Sequence, residues 1–255
     1  MNFTALRLQF QKFWLLLLIP LFLSGCSVDW GWYVVDPTLP AGLGNLKFLL
    51  GGYLYTVLMS FSAIGISLVF GLLVALPAFS KFRIFRYLNV GFVEVFRAIP
   101  PLVLILWVYY GLPVVLGINL SIFWAGVIAL SLADIPFMAE VYRAGIQSVP
   151  EGQSEGAKAI GLNSWQTMWF IVLPQAIRQI LPAMGNQFVL ILKTSSLVSV
   201  IGYSELTRRA NELVVVEYRA LEIYSVLVLE YLVLILAVSF FVRWLEKHLN
   251  RNLAR

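Results

Sequence analysis

The sequence predicts an all-α membrane protein, a polytopic bundle of five core transmembrane helices with a sixth apolar segment at the N-terminus. The 255-residue chain is 60% hydrophobic and 12% charged, with a mean hydropathy of +0.87, whereas a soluble domain is about a quarter charged. No charged residue falls between Lys47 and Lys81, or between Arg97 and Asp134. Apolar runs of about 20 residues are what it takes to cross roughly 30 Å of hydrocarbon. The basic residues behind the net charge of +5 and the pI near 9.4 flank these runs and form no single patch. Membrane orientation accounts for them, and nucleic-acid binding does not.

The chain begins ambiguously. Arg7 and Lys12 precede an apolar run at 13–23, short for a spanning helix, and Leu23-Ser24-Gly25-Cys26 has the form of a lipoprotein processing site at which Cys26 is acylated. The plainer reading is a retained helix continuing to about residue 28. Either way, 1–50 is an N-terminal segment with a linker on the outer side, before a membrane domain at 51–246 and a tail at 247–255. The surest span is 53–78. The apolar stretch after it is divided by Pro100-Pro101, Gly111, Pro113 and Gly117 into spans near 87–110 and 121–141. A fourth runs from about 183 to 202 around Lys193, and a fifth from 223 to 242 around Glu230. Lys81, Arg83 and Arg86, then Arg243, Lys247, Arg251 and Arg255, mark cytoplasmic ends. Alternation puts 142–182 and the C-terminus in the cytoplasm, with 203–221 outside despite its Arg208, Arg209 and Arg219.

The 142–182 insertion carries its own helix punctuation. Ser148 and Glu151 fit a capping box with Pro150 in the first turn, Gly161 provides a left-handed stop, and Asn163 or Ser164 caps a second helix ending before Pro174. A short helical hairpin on the cytoplasmic face follows. Gly152, Gly156, Ala157 and Ala159 keep its first helix slim, so another protein surface approaches closely while Glu155 and Lys158 supply polar contacts.

Glu155-Gly156-Ala157, Gly161 after three further residues, and Ile171-Val172-Leu173-Pro174 after nine more resemble the EAA loop of ABC importer permeases. Gly156 departs from the family's usual alanine but stays small. Glu94 to Leu102, Ala139 to Ile146, and Leu192 to Leu197 are similar to segments of the polar amino acid permease family, so the resemblance covers roughly 50–245. It implies that the first hairpin helix is a coupling helix, with Glu151, Ser154, Glu155, Gly156, Ala157, Lys158 and Gly161 as its docking set. It further implies an inner-membrane importer built from two permease subunits, homodimeric or heterodimeric, a docked ABC ATPase dimer and a periplasmic solute-binding protein. The chain has no Gly-x-x-x-x-Gly-Lys-Ser/Thr loop, so ATP and Mg²⁺ belong to the separate ATPase and this chain holds no cofactor.

Ionisable residues inside spans face a partner or a water-filled path. Arg97 lies about ten residues into its span, roughly 15 Å deep, just before the Pro100-Pro101 break. Lys193 sits at similar depth, so these two cations are candidates for a solute carboxylate, with Glu94, Pro100 and Ser195 alongside. The bland alternative pairs Glu94 with Arg97, and Lys193 with Glu230 or Asp134, with Asp134 as a packing or capping residue. One cysteine and one histidine, Cys26 and His248, exclude a disulfide, a thiolate metal site and a Cys/His catalytic pair. A membrane hydrolase is thereby disfavoured, and a secondary transporter lacks an evident inverted repeat.

Overall fold

The computed structural model describes residues 30–253. The apolar run at 13–23 and Cys26 lie outside the described residues. After a short 3₁₀ turn at Trp32–Val35, helix α1 (Pro40–Leu50) leads through Gly51 directly into α2 (Gly52–Ala75). The expected linker before residue 50 is therefore partly helical, because Pro40 occupies the first helical turn, where its missing N–H costs nothing. α3 (Arg83–Ala98) and α4 (Pro101–Leu116) replace the single span expected at 87–110. They meet at 95° across Ile99-Pro100. Both residues are extended there, as a residue preceding proline prefers.

α5 (Ile122–Gln147) is unbroken, and α6 (Glu151–Ala159) is a single short helix. α7 (Ser164–Ile201) differs most from expectation. It does not end before Pro174 but runs on as the fourth span. A π turn at Met168–Val172 precedes the proline, and such a turn absorbs the ladder bond that proline cannot donate. The 142–182 insertion is thus one free helix between two long ones, not a separate hairpin. α8 (Leu206–Glu217) and α9 (Ala220–Leu253) complete the chain. Among the described residues four helices are long and apolar enough to cross a membrane, and the bent α3–α4 pair, counted as one broken span, brings the number to five.

The core is built on α2 against α5. Thr56, Ser60, Ala63, Ser67, Gly71 and Ala75 recur at three- and four-residue spacing on α2 and are buried, which brings the two backbones close. Hydroxyls then bond across the seam: Ser131 Oγ donates to the Ala63 carbonyl at 3.1 Å and Tyr142 OH to the Leu68 carbonyl at 3.1 Å. Asn89 Nδ2 donates to the Val74 carbonyl and ties α3 to the end of α2. Leu54, Phe61, Phe70, Leu229, Val233 and Phe240 stay exposed on the outside of the bundle. That surface suits acyl chains, since lipid provides no reason to bury it.

Candidate functional site

α6 projects from one end of the bundle. Its C-terminus closes by a Schellman arrangement: Gly161 has φ +87°, the Leu162 N–H donates to Ala157 O at 3.1 Å and the Gly161 N–H to Lys158 O at 2.9 Å. Ser148 does not cap this helix. Its hydroxyl donates back to the Gly145 carbonyl at 2.7 Å and finishes α5, while Pro150 occupies the α6 N-cap with no side-chain bond. The reason is spacing, since Pro150 lies directly before the first helical residue and leaves Ser148 on the wrong side of the turn. Asn163 does cap α7, accepting from the Gln166 N–H at 2.9 Å while its own N–H donates to the Gln166 side chain at 2.9 Å.

Of the predicted set on this helix, Glu151, Glu155, Gly156, Lys158 and Gly161 are exposed, Ser154 is half-buried, and Ala157 is buried against the bundle. No atom lies within 4 Å of where a side chain would start at Gly152 or Gly156. Ile160 is 77% exposed and Trp165 71% exposed beside them, and Trp165 packs on Trp169 at 5.5 Å. Sequence reading missed this aromatic and aliphatic rim, which follows from nothing more than Trp165 and Trp169 being one helical turn apart.

Within the membrane the predicted residues divide. Arg97 is exposed on α3 and lies over the Phe137 ring of α5, its Cζ 5.1 Å from the centroid. No ion pair joins it to Glu94 among the described residues, nor Lys193 to Glu230 or Asp134. Lys193 is exposed on α7, Ser195 is buried and donates to the Leu192 carbonyl at 2.8 Å, and Pro100 is exposed at the break. Asp134 is 5% exposed, and its Oδ2 has no hydrogen-bond partner. Glu230 is equally buried, with neither carboxylate oxygen partnered.

The opposite end, around α8, carries a network that sequence reading did not identify. Glu205 is fully buried, caps α8 by accepting from the Arg208 N–H at 2.7 Å, and accepts from Tyr231 OH of α9 at 2.8 Å. The arginines that weakened the charge rule are engaged locally. Arg208 pairs with Glu212 at 2.6 Å, and Arg209 donates to the Phe48 carbonyl at 2.8 Å while lying over the Phe48 and Tyr55 rings. Burial pushes the Glu205 carboxyl up to about 6 from an ordinary 4.5, with the hydrogen bonds from Thr207, Tyr231 and Arg208 opposing it. A raised folded-state pKa means the fold holds this proton more tightly than the unfolded chain does. Its stabilising effect is complete below about pH 4.5 and lost as pH rises through about 6, a change of about 2 kcal/mol. Thermal unfolding in detergent should therefore show higher stability at pH 5 than at pH 8, and Glu205→Gln should remove most of that difference. An unchanged pH slope in Glu205→Gln would assign the titration to another group.

The bent α3–α4 pair, the hydroxyl-laced α2–α5 core and a short helix held out between two spans define a membrane-spanning transport component. The chain belongs to the family described as binding-protein-dependent transport system inner membrane component, which matches residues 67–253. It is 36% identical over 208 residues to the probable glutamine ABC transporter permease protein GlnM of Bacillus subtilis, covering 82% of this chain and 96% of that protein. It is 34% identical over 212 residues to the arginine transport system permease protein ArtQ of the same organism, covering 83% and 97%. Among solved structures, a crystal structure of an amino acid ABC transporter with histidines superposes with a TM-score of 0.76 at 36% identity, covering 81% of this chain and 96% of that one.

Proposed function

We propose that this chain is the permease subunit of an ATP-binding-cassette importer that carries polar amino acids across a bacterial inner membrane. The observation that carries the reading is α6. A nine-residue helix, closed by Gly161 and displaying Glu155 and Lys158 to solvent, lies between two membrane spans. It offers a small-residue surface on which an ATPase docks, so that closure of the ATPase dimer is passed to α5 and α7. The Glu151, Ser154, Glu155, Gly156, Ala157, Lys158 and Gly161 set is that dock. ATP and Mg²⁺ are held by the partner, because this chain has no phosphate loop. A second permease subunit completes the path, and a periplasmic solute-binding protein delivers the solute to the α8 end. The α6 end, the 142–182 segment and the C-terminal tail are cytoplasmic. The amino-acid class rests on the glutamine and arginine permeases to which the chain is similar over most of its length.

The test is reconstitution of the complete complex in proteoliposomes with its binding protein. ATP-dependent uptake of labelled L-glutamine or L-arginine, and ATPase activity stimulated by the loaded binding protein, are the expected results. A complex that hydrolyses ATP in response to another solute class, and takes up neither amino acid, overturns the substrate assignment.

A further inference from the structure

Asp134 is a buried carboxyl that the fold leaves incompletely satisfied. It points from the middle of α5 to a cavity of about 40 Å³ between the start of α4, α5 and the end of α7, lined among others by Pro101, Phe137, Ile191 and Thr194. That volume admits an ammonium-sized group but not a whole amino acid. No basic side chain lines the cavity, and Lys193, the nearest cation in sequence on α7, is exposed instead. Oδ2 of Asp134 remains without a donor. A buried acceptor without a partner in hydrocarbon is costly and marks a place where a partner arrives from outside the chain.

The surroundings specify the partner further. Phe137, one turn along α5, lines the same cavity and carries Arg97 on its ring. It also lines a larger cleft of about 480 Å³ that continues between α5 and α7 past Glu140 and Gln187 to Ser148, toward α6. The Gln187 Oε1 in that cleft likewise has no donor. An unpartnered acceptor in a small cavity and an aromatic ring shared with the larger cleft thus lie beside the break between α3 and α4, while Arg97 rests on that ring without lining either space.

We propose that Asp134 is the ammonium-recognition residue of a solute subsite at this break, its carboxyl facing the small cavity beside Phe137. The site selects solutes bearing a free ammonium and disfavours anions. The identity of the carried solute as an amino acid rests on the importer reading above, whereas the charge preference of the cavity does not. Two measurements keep these apart.

The first measurement needs no transported solute. In a Cys26→Ser, Thr194→Cys chain within the assembled complex, the cationic aminoethyl methanethiosulfonate should react about tenfold or more faster than the anionic sulfonatoethyl reagent. Adding Asp134→Asn should abolish the preference. Equal rates for the two reagents, or no reaction with either, overturn the proposal, and the Asp134-containing protein decides this even where Asp134→Asn assembles poorly. The second is uptake of labelled L-glutamine or L-arginine. Asp134→Asn should lower it about tenfold or more while binding-protein-stimulated ATPase activity persists, with partial recovery in Asp134→Glu. Uptake at the wild-type level in Asp134→Asn overturns the proposal alone. A wild-type complex that carries neither amino acid overturns the substrate reading, while the labelling preference still reports on Asp134.

Discussion

Glu155→Lys and Gly161→Leu are expected to abolish ATP-driven uptake while leaving the membrane bundle assembled. Gly161 has φ +87°, where a side chain costs about 1–2 kcal/mol and shifts the turn that sets the exit of α6. Relaxation of that turn rotates the helix relative to α7, although the site itself is open, with no atom within 4 Å of where a side chain would start. Steric collision is thus no part of the expected effect. Glu155 is exposed and forms no ion pair among the described residues. Reversing its charge therefore costs the isolated chain almost nothing, while a docked partner meets repulsion in place of attraction, and each loss of about 1.4 kcal/mol lowers association tenfold. The measurements are ATPase retention on an affinity-tagged permease, stimulated hydrolysis and uptake. If α6 were only an exposed linker, both variants would fold, retain the ATPase and transport normally, with a stability change within about 0.5 kcal/mol for Glu155→Lys and only the local turn cost of about 1–2 kcal/mol for Gly161→Leu. That combination would falsify the coupling role.

How much of this was legible beforehand depends on which interactions are local in sequence. The Gly161 stop and the Asn163 cap follow from short-range backbone requirements and were readable as such. The break at Pro100 was readable for the same reason, but its 95° angle was not, because the direction of a broken helix is set by what it packs against. Ser148 misled because a capping pattern has no knowledge of the preceding helix, whose last carbonyls compete for the hydroxyl. Pro174 misled because a π turn upstream lets a helix pass through a proline. Glu205 was invisible since its burial depends on Tyr231, 26 residues later. Among the membrane charges, spacing invited Glu94 and Arg97 to pair, yet Arg97 finds Phe137 on another helix. Local rules located every charge and could not choose its partner.

Gly52→Val is expected to destabilise the α8 end sharply. A side chain starting at Gly52 would place its first carbon 2.8 Å from both Cα and N of Leu206 and 3.1 Å from the carbonyl carbon of Glu205. These are backbone atoms at the start of α8 and cannot rotate away. The same crossing is fixed by hydrogen bonds, since the Leu206 N–H donates to Thr56 Oγ1 at 3.3 Å and Thr56 Oγ1 donates to the Gly52 carbonyl at 3.1 Å. Glu205, one residue away, is held to Tyr231 at 2.8 Å. Displacing α8 by the ångström or so needed therefore strips a fully buried carboxyl of its partners as well as overpacking the seam. Overpacking alone costs about 1–3 kcal/mol, and an unsatisfied buried acceptor adds about 1–3 kcal/mol more. Gly65→Ala is the control. It lies on the same helix with no atom within 4 Å of the added carbon, so replacing a mid-helix glycine there should be neutral or stabilising by up to about 1 kcal/mol. Thermal unfolding of the detergent-solubilised protein should accordingly fall sharply for Gly52→Val and hold or rise for Gly65→Ala. Equal behaviour of the two variants would mean that α2 and α8 do not meet backbone to backbone at Gly52.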